Sequence, residues 1–239
     1  VVEYELILKD IEIVDKRLDK IKKTLRSGSN ESKKEIEVLQ KVKLQLENVS
    51  VIRSDYSDDQ FEDFIKPLEL ISFKPILYVC NVGENDVISG NNYVDQVIKE
   101  NENQDSEIII ISAKIESEIN ELDSNEEKKI FLDDLGLEES GSNKLIRASY
   151  KLLNLHSYFT AGVKEVRAWT ITEGTKAPQA AAVIHTDFEK GFIRAEVMAY
   201  NDFVALGSEQ ACKDNGKLSV EGKDYVVKDG DIMHFRFNV

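Results

Sequence analysis

Two cysteines, three prolines, three histidines and one tryptophan are spread over 239 residues, and each scarcity removes a class of explanation. Cys80 and Cys212 lie far apart with no partner spacing, which excludes a disulfide-stapled scaffold and predicts two buried free thiols. His156, His185 and His234 show no metal-ligand spacing with either cysteine, so no metal site is predicted, and His234 reads as an exposed strand position. His185-Thr186-Asp187 has no Ser or Cys nucleophile beside it and reads as a turn or cap. No run approaches the roughly 18 apolar residues of a membrane span, and no basic-then-apolar leader opens the chain. These absences predict a cytoplasmic protein with no membrane partner. The start at Val1, within a helical pattern and without Met, predicts further sequence upstream.

A formal net charge of −14 argues against passive coating of nucleic acid, and no sequence-specific DNA readout is expected. The charge is uneven: −1 over residues 1–60, −11 over 61–154 and −2 over 155–239. An acidic middle segment of this kind leaves open a regulatory protein that docks basic partners.

Ile7, Ile11, Val14, Leu18, Ile21 and Leu25 recur at helical spacing, and Leu39, Val42, Leu46 and Val49 answer them after a Ser27-Gly28-Ser29-Asn30 turn. The pair predicts an antiparallel α-hairpin. Its tip is basic, with Lys16, Arg17, Lys20, Lys22, Lys23, Arg26, Lys33 and Lys34 facing only Asp19 and Glu31, and suits either RNA contact or an ordinary solvated helix face. Between Leu68 and Tyr150 the pattern changes to continuous apolar strands, Pro75–Cys80 and Glu107–Ile111, alternating with helices near Tyr93–Glu100 and after Glu116. That alternation predicts a parallel α/β sheet. From Leu155 short strands at Val166–Ile171, Ile193–Met198, Tyr225–Val227 and Met233–Phe237, with one short helix near Ser208–Asn215, predict a small α+β module. Trp169 reads as core and Asp229-Gly230-Asp231 as a tight turn.

The two apolar strands run into Asn81-Val82-Gly83-Glu84 and Ser112-Ala113-Lys114. Loops at the carboxyl ends of parallel strands are where open α/β sheets bind nucleotides. In the guanine-reading pattern N-K-x-D, the Asn meets the purine edge and the Asp accepts from guanine N1–H and N2–H₂. Here Val82 replaces the Lys and Glu84 the Asp, which makes adenine at least as plausible, with Asn81 free to bond the adenine N6/N7 edge. The phosphate half of such a site, G-x-x-x-x-G-K-[ST], occurs nowhere in these residues. The nearest string, Gly136 to Gly141, is followed by Ser142-Asn143 and comes after a helical pattern. Base reading without a triphosphate grip is the prediction, and with it a chain that is catalytically inactive alone.

These motifs, together with Tyr158-Phe159-Thr160-Ala161-Gly162, Glu165–Thr170, Ala177–Ala181, His185–Glu196, Glu221–Tyr225 and Asp229-Gly230-Asp231, resemble the YchF or Obg-like ATPase family of the P-loop GTPase class over essentially the whole chain. The resemblance implies α/β and α+β domains in series. They are an inserted helical coiled-coil hairpin (1–60), the C-terminal half of a P-loop NTPase domain (61–154) and a β-grasp TGS domain (155–239). It implies ATP preferred over GTP, Mg²⁺ in the intact protein, and association with the ribosome or RNA. Carried onto this chain, Asn81, Val82, Glu84, Ser112, Ala113 and Lys114 line the base pocket. Lys16, Arg17, Lys20, Lys23, Arg26, Lys33, Lys34, Arg167, Lys190 and Arg194 are candidates for RNA contact, the last three interleaved with Trp169, Phe188 and Phe192. The alternative is a module that binds RNA, ribosome or protein with no catalysis of its own.

Overall fold

The computed structural model describes residues 2–24, 30–48, 56–102, 106–162 and 165–238. They form two compact units, residues 1–75 and 76–239.

In the first unit the predicted apolar stripes meet. Helices α1 (Val2–Thr24) and α2 (Asn30–Glu47) bury Ile7, Val14, Leu18 and Ile21 against Val38, Leu39, Val42 and Leu46. Each such side chain withdrawn from water contributes about 1.5–3 kcal/mol. Arg17 pairs with Glu35 at 2.6 Å and Asp15 with Lys43 at 2.7 Å, so the helices run antiparallel. Leu25, Val49 and the Ser27–Ser29 turn lie outside the described residues.

Helix α3 (Asp58–Gln60), closed by a Ser57/Gln60 capping box, continues into a π-turn at Phe61–Ile65 and a 3₁₀ turn at Lys66–Leu68. Tyr56, Ile65 and Leu70 from this segment enter the same core as the helix pair. The tie is Asp10, fully buried on α1. Its carboxylate accepts from the backbone N–H of Ile71 (3.0 Å) and Ser72 (2.7 Å) and from the Ser72 hydroxyl (2.6 Å). A carboxylate in this position is tolerated because those donors replace water.

The second unit opens with β1 (Leu77–Asn81), α4 (Asn92–Glu100), β2 (Glu107–Ile111), α5 (Ala113–Asn120), α6 (Asn125–Asp134) and α7 (Gly141–Leu152). Strands β1 and β2 are parallel, with Asn81 opposite Ile111, so both base-loop segments leave the same end of the sheet. Under them Val87, Ile115, Ile119 and Leu137 form an apolar cluster. Cys80 is only half-buried, contrary to its expected burial, because the pair of strands leaves Val79 and its neighbours partly open; Cys212 is fully buried.

The rest of the unit runs β3 (Leu155–Ala161), β4 (Val166–Thr172), α8 (Ala177–Ile184), α9 (Thr186–Lys190), β5 (Phe192–Ala199), α10 (Tyr200–Leu206), α11 (Glu209–Asp214), β6 (Leu218–Glu221) and β7 (Asp231–Phe237). The five strands form one sheet in the order β4-β3-β7-β5-β6, parallel only between β3 and β7. On one face Tyr158, Met233 and Phe235 pack with Ala180 and Ala181 of α8, and the Tyr158 hydroxyl donates to Ala180 O at 2.8 Å. On the other, Met198 and Ile232 pack with Cys212 and Phe203.

Helices α8, α9 and α10 are not expected from the sequence, whose strand pattern masks them: Ala177–Ala181 carries almost no periodic contrast between faces. The expected strand at Tyr225–Val227 is a single bridge from Val226 to Lys176. Its pairing is confined to Ala177 N–H on Tyr225 O and Val227 N–H on Thr175 O, both at 2.9 Å, while the Tyr225 hydroxyl donates to Asp231 at 2.7 Å.

Trp169 is half-buried at the edge of the α8-side core, its indole N–H on Thr160 Oγ1 at 2.9 Å. His234 is exposed on β7 and His185 caps α9 through Nδ1, which accepts from Asp187 N–H at 3.1 Å. Gly230 has the left-handed φ of 81° that a tight turn before β7 requires. Among the described residues no helix is long and apolar enough to cross a membrane, and none of their His, Cys, Asp and Glu side chains group as metal ligands.

Candidate functional site

The two loops are hydrogen-bonded to one another where they leave their strands. The Ala113 backbone N–H donates to Asn81 Oδ1 at 2.9 Å, and Val82 N–H donates to Ile111 O at 2.9 Å. Since an N–H needs an acceptor, the Asn81 amide oxygen faces α5 and its Nδ2 donors are left for a ligand. That makes Asn81 a donor toward purine N7, alongside its bond across the loops.

Glu84, in a 3₁₀ turn after Gly83, and Lys114, in the first turn of α5, form an ion pair across the two loops; Glu118 lies 3.8 Å from the same ammonium. Both partners are exposed, and the hydrogen bond to Glu84 raises the Lys114 ammonium above its ordinary 10.5. Ser112 is 1% exposed, and its hydroxyl oxygen has no hydrogen-bond partner among the described residues. A buried, unpartnered hydroxyl at the head of α5 is what a polar ligand edge would complete. Val82 is half-buried and packs toward the apolar cluster of Val87 and Ile115. Asn81, Glu84, Ala113 and Lys114 are left at the surface.

One supporting residue is not foreseen from the sequence. Glu116, one turn into α5, accepts from Gly141 N–H (2.6 Å), Ser142 N–H (2.9 Å) and Ser142 Oγ–H (2.5 Å) and so caps α7 from outside. Gly141 is needed there because a Cβ would come within 2.8 Å of Ile111 Cγ2, at the end of the strand that carries the loop. The Ser140-Gly141 start of α7 is the available signal, a serine N-cap followed by a residue with no side chain.

The candidate RNA-contact residues fall into separate groups. Lys16, Lys20, Lys23, Lys33 and Lys34 are borne on α1 and α2, Arg17 is held by Glu35, and Arg26 lies outside the described residues. On the sheet, the Arg167 guanidinium lies 4.1 Å from the Trp169 ring centre, and exposed Lys190 ends α9 beside Asp187. Arg194 opposes Arg236 on the other face, where both approach Glu196. Arg194 is thus engaged with Glu196, away from the Arg167–Trp169 pair.

A protein-family model described as YchF-GTPase_C, a protein of unknown function (DUF933), matches residues 155–238. The whole chain is 50% identical over 238 residues to the ribosome-binding ATPase YchF of Haemophilus influenzae, of which it spans 65%. It is 41% identical over 245 residues to the Obg-like ATPase 1 of Gallus gallus, of which it spans 61%. A solved structure of the Schizosaccharomyces pombe YchF GTPase superposes with a TM-score of 0.86 at 37% identity, covering 98% of this chain and 64% of that one. The chain thus spans a little under two thirds of the relatives it matches. Matched along its whole length by these relatives, the chain belongs to the family of YchF and the Obg-like ATPases.

Proposed function

We propose that the intact protein is a cytoplasmic ATPase of the YchF type, which hydrolyses ATP in preference to GTP with Mg²⁺ and associates with the ribosome or RNA. In this reading residues 1–60 are a coiled-coil insertion, 61–154 the base-reading half of a P-loop domain and 155–239 a β-grasp TGS domain. The observation that carries the nucleotide assignment is the Ala113 N–H to Asn81 Oδ1 bond, which draws two loops at the carboxyl ends of parallel strands into one polar surface.

The residues fit a purine and not a triphosphate. Asn81 Nδ2 offers donors, the Glu84 carboxylate an acceptor and Lys114 a donor over an apolar stem, beside the unpartnered Ser112 hydroxyl. The magnesium ion neutralises charge on the transferring phosphoryl group when bound, but no residue here can be assigned to it, since these 239 residues contain no G-x-x-x-x-G-K-[ST]. The chain alone binds the base, orients it against α5 and performs no phosphoryl transfer.

Titration of the chain with ATP and GTP, followed by amide NMR, tests the assignment. Both nucleotides are expected to shift Asn81 and Ala113, ATP at lower concentration, with about tenfold weaker binding in Asn81→Ala from the loss of one base contact and of the loop tie. Unchanged spectra at those amides at saturating nucleotide would sink the reading.

A second activity rests on Lys16, Lys20, Lys23, Lys33 and Lys34, clustered in an otherwise acidic chain. These support RNA or ribosome contact by the helix pair whether or not nucleotide is bound.

A further inference from the structure

We propose that β4 is a docking edge, which takes an extended segment of a partner protein as a sixth, antiparallel strand with a single carboxylate set opposite Arg167. Nothing in this depends on the base loops.

The five-stranded sheet ends on β4, and the register shows which of its backbone groups are already engaged. Strands β3 and β4 pair without a shift over seven residues, from Leu155 against Thr172 to Ala161 against Val166. Just beyond that run, Gly162 N–H donates to Glu165 O at 2.9 Å and Glu173 N–H to Asn154 O at 2.7 Å. Antiparallel partners are alternately hydrogen-bonded and not, so both ends give the same set: Arg167, Trp169 and Ile171 turn their N–H and C=O groups to β3. Val166, Ala168 and Thr170 turn theirs outward, about 6.8 Å apart, and among the described residues those groups have no partner.

Edge strands of natural sheets are commonly cut short, bulged, or marked with Pro or Lys. At the opposite side of this sheet β6 is only four residues long. By contrast β4 runs seven residues with no bulge against β3, no Pro or Gly, and Arg167 as its one charge. Val166, 73% exposed, Ala168 and Thr170 also present their side chains to water.

Arg167 selects the occupant. Its guanidinium lies 4.1 Å from the Trp169 ring centre and has no carboxylate partner among the described residues. A side chain opposite it on an added strand would stand within about 5.5 Å between Cβ atoms, where a carboxylate meets the guanidinium held against the ring. Glu165 and Glu173, exposed just outside the strand, repel acids at either end, so the carboxylate is single and central. A phosphate backbone would satisfy Arg167 but offers no N–H to the outward carbonyls. A second copy brings Glu173 opposite Arg167 only by using the Thr172 carbonyl, which already accepts from Thr175 N–H at 3.2 Å and Thr175 Oγ–H at 2.6 Å.

The probe is the capped peptide Thr-Ile-Thr-Val-Thr-Glu-Thr, titrated into the whole 239-residue chain with amide NMR as the readout. Aligned antiparallel to β4, it sets Glu opposite Arg167 and Val opposite Trp169. The amides of Val166, Ala168 and Thr170 are expected to shift more than those of Arg167 and Trp169, which β3 already holds. N-methylation of the threonine opposite Ala168 is expected to weaken binding at least about threefold to tenfold, the value of one ladder bond, and N-methylation of the valine, whose N–H points away, to leave it unchanged. Exchange of the peptide glutamate for lysine, or Arg167→Gln, is expected to weaken it about twofold to fivefold. Ala168→Pro removes an outward N–H that β3 does not use and is expected to abolish binding; the N-methyl peptides make the same test on the unaltered protein.

Equal binding of the two N-methyl peptides overturns strand addition, as does the absence of any response at Val166, Ala168 and Thr170. Shifts of those amides with protein concentration alone would make a second copy the occupant, and a single-stranded oligonucleotide that displaces the peptide from Arg167 without moving them would assign the surface to RNA; either result overturns the proposal.

Discussion

At the scale of single residues, the same device recurs in each unit. Asp10 takes two backbone N–H groups and the Ser72 hydroxyl; Glu116 takes two backbone N–H groups and the Ser142 hydroxyl. In each case a helix-borne carboxylate fixes the start of a later helical turn by satisfying its orphan donors. Asp10→Ala leaves the Ile71 and Ser72 amides without their acceptor in a closed core, and is expected to lower the stability of the first unit by about 3 kcal/mol in urea unfolding.

None of this is visible in the sequence. Asp10 and Ser72 are 62 residues apart and Glu116 and Ser142 are 26 apart, and a carboxylate's long-range partner leaves no local periodicity. Asn81, Ser112 and Lys114 are readable because the carboxyl end of an apolar strand fixes where its loop residues emerge. Which lone pair of Asn81 is occupied depends on the register of β1 against β2, which no spacing within one strand reports.

At the scale of elements, the helix pair is the most legible part. Its burial keeps to one stripe on each helix, so Val14, Leu18, Val42 and Leu46 are identifiable from spacing alone. The sheet is harder, because β7 pairs with β3 and β5 from distant parts of the chain.

One cross-strand pair within that sheet carries a pH dependence. Glu196 on β5 accepts from the Arg236 guanidinium on β7 at 2.9 and 3.3 Å, and those hydrogen bonds hold its carboxyl below the ordinary 4.5. With the folded value depressed, the stabilisation is complete above the unfolded value and is lost as pH falls through the folded one. The thermal midpoint of the second unit should therefore decline as pH drops below about 4.5, and Arg236→Met should flatten that part of the curve. An unchanged acid limb in the variant would assign the decline to other carboxylates.

At the scale of the whole molecule, each unit has its own core: the helix-pair cluster lies within residues 1–75 and the remaining clusters within 76–239. Cooperative melting depends on shared burial, so calorimetry is expected to resolve two transitions. Asp10→Ala should move one of them and leave the other in place. A single transition displaced as a whole by that substitution would show that the units unfold together.

The place of β7 in the sheet also bears on when the chain can fold during its synthesis. Asp231–Phe237 is the last strand in sequence but the third of five in space, and it alone joins the β3–β4 pair to the β5–β6 pair. Until it emerges, the β3–β4 pair and the β5–β6 pair have no strand between them, so the five-stranded sheet assembles only after β7 has been synthesised. Chaperone demand should be concentrated in the interval between the synthesis of β6 and that of β7.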